Sequence, residues 1–176
     1  WCLVSGARAA NAAADYVKNV GMTAIDETET KALKERALFA YKKEKGIAPA
    51  DLLVKLQKTI FPWDVTIIRH GSRMKQTLEK VQEMKNENLK QVCAPDYHEV
   101  NKSIEIRNML LCAEMVLNSA IYRTETRGGS FREDYPHMDN ENWLKWVVIK
   151  PLEDGSMALG ARPIPIDHYP FRPRPE

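Results

Sequence analysis

Residues 123–136 read Arg-Thr-Glu-Thr-Arg-Gly-Gly-Ser-Phe-Arg-Glu-Asp-Tyr-Pro and directly follow the longest apolar-periodic segment of the chain. This stretch places three arginines and three carboxylates around the pair Gly128 and Gly129. Adjacent glycines allow the backbone to take positive φ or to approach another group closely. We therefore expect the preceding helix to end here and a tight turn to present the arginines. From composition alone, the alternative is a solvated charged loop.

The segment before this stretch, residues 99–122, predicts a long central helix. Its apolar residues recur at steps of three or four, which is helical spacing. They are Ile106, Leu110, Ala113, Leu117 and Ile121, with Met109, Cys112, Val116 and Ala120 alongside. A stripe this wide predicts a helix that is covered on most sides, with Cys112 filling space in the core.

Two helices are predicted before residue 47. Residues 1–20 repeat small and apolar side chains at helical spacing, and Gly21 suits the position after a helix. Residues 22–46 begin with a capping pair, Asp26 and Glu29, and end with lysines and a glycine. The predicted buried stripe of this second helix consists of Leu33, Ala37, Ala40 and Tyr41.

Two more helices are predicted between residues 48 and 92. The third begins at Pro49, which is favoured in a first helical turn, and stops at Pro62. The fourth covers residues 73–92. In the link between them, Arg69 and His70 form either an anion-binding pair or a locally hydrogen-bonded turn. The expected inward side chains are Leu53, Leu56 and Ile60 in the third helix and Met74, Leu78, Val81, Leu89 and Val92 in the fourth.

The period changes after Pro136. Residues 143–149 are rich in β-formers, Asp154 and Gly155 signal a hairpin turn, and residues 157–166 supply a second strand. The tail, residues 168–176, is rich in proline and is expected to be extended. The predicted fold is mainly α: a helical bundle of about three to five helices, with a small C-terminal β-hairpin and an extended tail.

Composition limits the classes of function. The chain has 176 residues and a net charge of +2, which does not indicate a nucleic-acid partner. No apolar run is long enough for a transmembrane helix. The three cysteines, Cys2, Cys93 and Cys112, are widely spaced, so they indicate neither a metal site nor a disulfide framework. The chain contains no Gly-x-Gly-x-x-Gly sequence, so it shows no dinucleotide-binding half.

The stretch 123–136 resembles a signature of the flavoprotein subunits of succinate dehydrogenase and fumarate reductase, which are related to aspartate oxidase and adenylylsulfate reductase. The family run is close to Arg-x-Glu-Ser-Arg-Gly-x-His-x-Arg-x-Asp-Phe/Tyr-Pro. Residues 105–110 and 139–145 resemble the flanking family sequence. Thr126 stands where Ser is usual, and Ser130 stands where the family often has His. The matching residues are Arg123, Glu125, Thr126, Arg127, Gly128, Arg132, Asp134, Tyr135 and Pro136.

The resemblance implies a division of the chain and a place in a larger enzyme. Residues 1–21 would be the closing helix of an FAD-binding domain, 22–136 a helical C-terminal domain, and 137–176 a hairpin and tail. FAD is expected in the complete enzyme and not in this chain, with an iron–sulfur subunit as partner. The resemblance implies a cytoplasmic location, with membrane association only through partner subunits.

The resemblance also implies a contact surface, and no catalytic, cofactor-binding or metal-binding residue is expected within this chain. Candidate contacts with the flavin domain or a partner are Arg123, Arg127, Gly128, Gly129, Ser130 and Arg132. For Arg127 and Arg132 the alternative is intramolecular ion pairing with Glu125, Glu133 or Asp134. For the chain as a whole, the alternatives are a non-catalytic helical interaction module or another branch of the flavoprotein family.

Overall fold

The computed structural model describes residues 1–22, 24–41, 43 and 45–170. The chain divides into two units, Trp1–Phe39 and Ala40–Glu176, and each is described by itself below. The described residues form seven α-helices and four short strands. The predicted mainly α fold with a small β-hairpin is therefore confirmed.

The first unit contains helix α1, Cys2–Val20, and helix α2, Glu27–Ala37. Gly21 follows α1 with φ of 69°, a left-handed conformation that suits glycine. The Asp26 carboxylate caps α2 by accepting the backbone N–H groups of Thr28 and Glu29 at 2.8 and 3.1 Å. The end of α1 and the start of α2 are thus explained by local chemistry.

The prediction of a helix over residues 22–46 was wrong in its end, and of the predicted buried stripe Leu33, Ala37, Ala40 and Tyr41 only Ala40 is buried. Helix α2 ends at Ala37, and none of its side chains is buried, including Leu33. In the second unit, the Ala40 carbonyl accepts the Ala94 N–H, and Ile47 bridges to Val92. A Cβ added to Gly46 would lie 2.1 Å from the Gln91 carbonyl oxygen, so glycine permits this close approach. Long-range backbone pairing thus replaced the helix that local signals favoured.

The second unit is built on the central helix α6, Tyr97–Tyr122. Helices α3, Pro49–Ile60, and α5, Gly71–Glu83, pack against it, and the short α4, Trp63–Thr66, connects them. After α5 the chain continues through a π-helical turn, Met84–Asn88, and a 3₁₀ turn, Leu89–Gln91, so the predicted fourth helix is interrupted. The core between these helices contains Leu52, Leu56, Met74, Val81, Met84, Ile106, Leu110 and Leu117.

Two predictions about helix faces were wrong. In α3 the predicted Leu56 is buried, but Leu52 is buried where Leu53 was predicted, and Leu53 and Ile60 are only half-buried. In α6 the predicted stripe Ile106, Leu110, Ala113 and Leu117 is buried, whereas Met109, Cys112 and Val116 are exposed. Cys112 is therefore not a core residue. Apolar spacing marks which side chains share a face, but the neighbouring helices decide how much of that face is covered.

The strands form two small sheets. Strand β1, Ile68–Arg69, pairs in parallel with β2, Phe131–Arg132, and thereby fixes the link region against the stretch 123–136. After the short helix α7, Asn140–Trp143, strands β3, Lys145–Pro151, and β4, Met157–Pro163, form the predicted antiparallel hairpin.

The hairpin turn contains Gly155 at φ of 80°, as its sequence predicts. Strand β4 ends at Pro163, earlier than predicted, because proline cannot donate to the ladder. A 3₁₀ turn, Ile166–His168, follows. Residues 171–176 of the predicted extended tail lie outside the described residues.

Candidate functional site: the arginine loop

The arginine loop, defined as residues 123–136, begins where α6 ends at Tyr122. Arg127 and Ser130 exchange two backbone hydrogen bonds of 3.0 Å each, which close a tight turn around Gly128 and Gly129. Gly128 has φ of 55°, a conformation that side chains disfavour. A Cβ added at either glycine would meet nothing within 4 Å. The tip of the turn is therefore open, as the sequence predicts.

Glu125 is the buried anchor of the loop, with 0% of its surface exposed. Its carboxylate accepts hydrogen bonds from Arg123 Nη1, from Arg127 Nε and Nη2, and from the Asp139 backbone N–H. The Arg127 contacts measure 2.7 and 2.9 Å and form a two-point fork. Burial opposes ionisation of Glu125, but the bonds from Arg127, Asp139 and Arg123 outweigh it and lower its pKa.

Arg132 lies beneath the surface of the loop and hydrogen-bonds the C-terminal end of α6. Its side chain is 3% exposed. Its Nη1 donates to the carbonyls of Ala120 and Arg123, at 2.6 and 2.8 Å, which satisfies acceptors left free at a helix end. Its Nε and Nη2 bind the two oxygens of Asp134 at 2.8 and 2.7 Å. Arg132 therefore supports the loop from inside the protein.

Asp134 connects the loop to the start of α5. Besides Arg132, its Oδ2 accepts the backbone N–H of Gly71 at 3.0 Å. A Cβ on Gly71 would lie 2.8 Å from that oxygen, so the contact requires glycine or a shift. Hydrogen bonding by Arg132 holds the pKa of Asp134 well below its usual range, against the opposing effect of burial.

This depressed pKa predicts a pH dependence of stability. Because the pKa is lowered in the folded state, the contribution of Asp134 is present above the unfolded pKa of about 3.9 and is lost as pH falls below it. We expect Asp134→Asn to be less stable than wild type at pH 7, with a difference that shrinks as pH falls to about 2. Urea denaturation at several pH values measures this difference.

The matched control is Glu79→Gln, an exposed carboxylate on α5. Its difference from wild type should stay small at every pH, because exposed groups far from partners contribute little. A difference for Asp134→Asn that stays constant with pH would contradict the assignment.

The arginine loop forms the intramolecular ion pairs that the sequence offered as an alternative, except that Glu133 pairs with an arginine outside the loop. Arg127 pairs with Glu125 and Arg132 with Asp134, as one alternative held. Glu133 instead binds Arg73 of α5 at 2.5 Å. Contact of the loop with a flavin domain or partner is not tested by these pairs and stays a prediction.

Two residues of the link region complete the surroundings of the loop. Arg69 Nη1 donates to Ser130 Oγ at 2.7 Å, so Arg69 belongs to the site. The sequence singles out Arg69 only as the neighbour of His70, although its place after the β-forming Ile67 and Ile68 indicates a strand there. His70 is locally bonded, with Nδ1 2.9 Å from Ser72 Oγ at the start of α5.

Metal and membrane features are described for residues 1–22, 24–41, 43 and 45–170 of the structure. Within these residues, no group of three or more His, Cys, Asp or Glu side chains could hold a metal ion. None of the helices in the same residues has the length and apolar character to cross a membrane.

Comparison with known proteins identifies the class. The family model described as "Fumarate reductase flavoprotein C-term" matches residues 55–176. An uncharacterized FAD-dependent oxidoreductase of Methanocaldococcus jannaschii is 32% identical over 148 residues, covering 84% of this chain and 26% of the relative. The chain therefore belongs to the family of fumarate reductase flavoprotein C-terminal domains.

More specific relatives carry enzyme names. The fumarate reductase flavoprotein subunit of Mycobacterium tuberculosis strain H37Rv is 26% identical over 180 residues, covering 96% of this chain and 30% of that protein. The solved structure of Mycobacterium smegmatis Sdh1 in complex with UQ1 superposes with a TM-score of 0.76 at 27% identity, over 92% of this chain and 28% of that chain. The chain thus spans less than a third of the length of these relatives.

Proposed function

We propose that this chain is the C-terminal part of a complete FAD-dependent oxidoreductase of the fumarate reductase and succinate dehydrogenase type. The observation that carries the proposal is the family match over residues 55–176, which includes the arginine loop and the helix that positions it. The likeness of the fold to Sdh1 over 92% of this chain supports it. The complete enzyme would bind FAD and exchange electrons between a dicarboxylate and an iron–sulfur partner.

Within that enzyme this chain would serve as a scaffold and a contact surface. It has no glycine-rich phosphate turn, so its own residues do not fit the dinucleotide and we assign it no reacting group. The proposed contacts with the flavin domain or partner are the exposed tip, Gly128 and Gly129, with the side chains around it. Those side chains are Arg123, Arg127 and Ser130 at the surface and Arg132 as internal support.

A proposed role for the buried ion pairs follows from this arrangement. Glu125 and Asp134 hold the arginines in fixed positions, so the loop is ordered before it meets another domain. A pre-ordered loop loses less conformational entropy on contact. The open glycine turn then lets a partner backbone approach closely.

The complete polypeptide tests the proposal. We expect it to purify with FAD, to show the flavin absorption spectrum, and to interconvert succinate and fumarate with an artificial electron acceptor or donor. The same preparation is assayed with L-aspartate and with adenylylsulfate, which separates the other branches of the family. A complete protein without flavin and without any of these activities would favour a non-catalytic interaction module.

Partners and location belong to the same proposal. An iron–sulfur subunit is expected to co-purify with the complete protein, and membrane association is expected to depend on partner subunits. Fractionation of cells with and without the partner genes measures the location.

Arg127→Lys in the complete protein tests the loop. Lysine keeps the charge but loses the fork on Glu125, which costs about 1.5–3 kcal/mol for a charged hydrogen bond. We expect a lower melting temperature. If Arg127 also contacts the flavin domain and that contact strengthens in the transition state, we expect the turnover to fall by about tenfold. Arg162→Lys, at an exposed position of β4, is the control. Wild-type kinetics with intact flavin would remove Arg127 from the proposed contact.

A further inference from the structure

An apolar groove runs along the exposed side of the bundle between α3 and α6. It has a volume of about 400 Å³ and is called the α3–α6 groove here. Its floor includes the core residues Leu56 and Leu117, and its open rim includes Phe61, Met109 and Val116. Val116 is 59% exposed. Clusters of large exposed apolar side chains around a concavity usually mark an interaction site.

Arg69 lines this groove, and both its backbone and its side chain are hydrogen-bonded. Its backbone pairs with Arg132 in the parallel β1–β2 sheet, and its carbonyl accepts the Glu133 N–H at 2.8 Å. Its side chain donates Nε to the Thr66 carbonyl at 3.0 Å and Nη1 to Ser130 Oγ at 2.7 Å. Both acceptors are neutral, so neither balances the guanidinium charge.

The charge of Arg69 distinguishes it from the other arginines of the site. The arginines with a carboxylate partner are Arg73, Arg123, Arg127 and Arg132. Over residues 1–22, 24–41, 43 and 45–170, Arg69 makes no ion pair with a carboxylate. Burial lowers the pKa of Arg69, and the neighbouring charge of Arg132 lowers it further. An anion beside Arg69 would favour the charged guanidinium and so oppose both effects.

The α3–α6 groove is continuous with the arginine loop. A second, more open concavity shares Arg69, Val116 and Ala120 with the groove and is also lined by Arg127 and Ser130. One partner could therefore cover the apolar rim, Arg69 and the loop together. Such a partner needs apolar side chains beside an acidic residue, which is the complement of this surface.

We propose that the α3–α6 groove and Arg69 form the docking surface for the flavin-binding portion of the complete protein, which supplies apolar side chains to the groove and a carboxylate to Arg69. The inference rests on the proposed function. It goes beyond the arginine loop, because it assigns most of the surface buried in this contact to α3 and α6. It also assigns the cation that pairs with the carboxylate of the flavin-binding portion to Arg69.

Cys112 provides a reporter, because it lines the groove and is exposed in this chain. Within residues 1–176 the variant Cys2→Ser, Cys93→Ser leaves Cys112 as the single thiol, and mass spectrometry of the peptide that contains Cys112 follows its reaction with 5,5′-dithiobis(2-nitrobenzoate). We expect Cys112 to react about tenfold or more slowly in the complete protein than in the 176-residue chain, because a covered thiol reacts only when the interface opens.

Matched variants separate docking from folding. Val116→Glu places a charge in the groove at an exposed position and should restore fast reaction of Cys112 in the complete protein. Val54→Glu, exposed on α3 but outside the groove, should leave Cys112 protected. Arg69→Gln should restore part of the reactivity, and Arg69→Lys should restore less. Melting temperatures of the 176-residue variants show whether each substitution leaves the bundle intact.

The outcomes distinguish this inference from the proposed function. A flavin-loaded complete protein in which Cys112 reacts as fast as in the 176-residue chain overturns the docking surface and leaves the proposed function standing. Protection of Cys112 in a complete protein that binds no flavin would show that another portion of the polypeptide covers the groove, and would overturn both the proposed occupant and the proposed function. Reactivity of the 176-residue chain that falls with its own concentration, together with dimerisation in sedimentation, assigns the groove to a second copy and overturns the proposed occupant.

Discussion

Glu125→Ala is expected to lower the free energy of unfolding by about 3–5 kcal/mol, the range for removing one partner of a buried ion pair. The substitution leaves two arginine side chains and the Asp139 N–H without the carboxylate that they share. Because the Glu125 site is fully buried, water replaces that carboxylate poorly. Urea denaturation followed by far-UV circular dichroism measures the loss.

Glu133→Ala is the matched control. Glu133 also binds an arginine, Arg73, but its side chain is 44% exposed. Exposed ion pairs contribute about 0–1 kcal/mol, so this variant should remain close to wild type. Equal losses for the two variants would mean that burial does not determine the importance of Glu125. Glu125→Gln, which keeps the volume and some hydrogen bonds, should fall between Glu125→Ala and wild type.

Leu110→Ala is expected to destabilise the second unit by about 2–5 kcal/mol, through lost apolar burial and the cavity left behind. Leu110 has 0% of its surface exposed and lies in the middle of α6, the helix on which α3 and α5 pack. The denaturation midpoint in urea, with the slope of the transition as a check on two-state behaviour, measures the effect.

The neighbouring residue supplies a control on the same helix. Leu111 is 41% exposed, so Leu111→Ala removes the same atoms with far less change in burial. A surface change of this kind is expected to stay within about 0.5 kcal/mol. If Leu110→Ala had no larger effect than Leu111→Ala, the packing of α6 against the bundle would be wrong.

The local chemistry of the chain was readable from its sequence. Pro49 at a helix start, Asp26 as a cap, and the Asp154–Gly155 hairpin turn all act through neighbours a few residues away. The capping carboxylate of Asp26, the fixed φ of Pro49 and the backbone freedom of Gly155 each favour one local conformation. The predicted order of helices and hairpin followed from such local signals.

Helix faces were predicted less well, since apolar spacing reports only which residues share a side of the helix. In α3 the predicted Leu56 is buried, but Leu52 is buried where Leu53 was predicted. Cys112 was predicted to be in the core and lies instead on the open groove. The face of α6 that carries Met109, Cys112 and Val116 has the same apolar spacing whether it packs inside this chain or against another polypeptide. The sequence of the helix therefore does not distinguish a core face from a docking face.

By itself the sequence determined a mainly α fold, a charged turn after the central helix, and the flavoprotein family to which that turn belongs. Only the tertiary structure decided that Glu125 is the shared buried anion, that Glu133 pairs with Arg73, and that Arg69 is brought to Ser130 across 61 positions of sequence. The physical reason is that ion pairs and burial depend on distances in space, which the packing of α5, α6 and the β1–β2 pair sets. Composition supplies the charges, and the fold selects their partners.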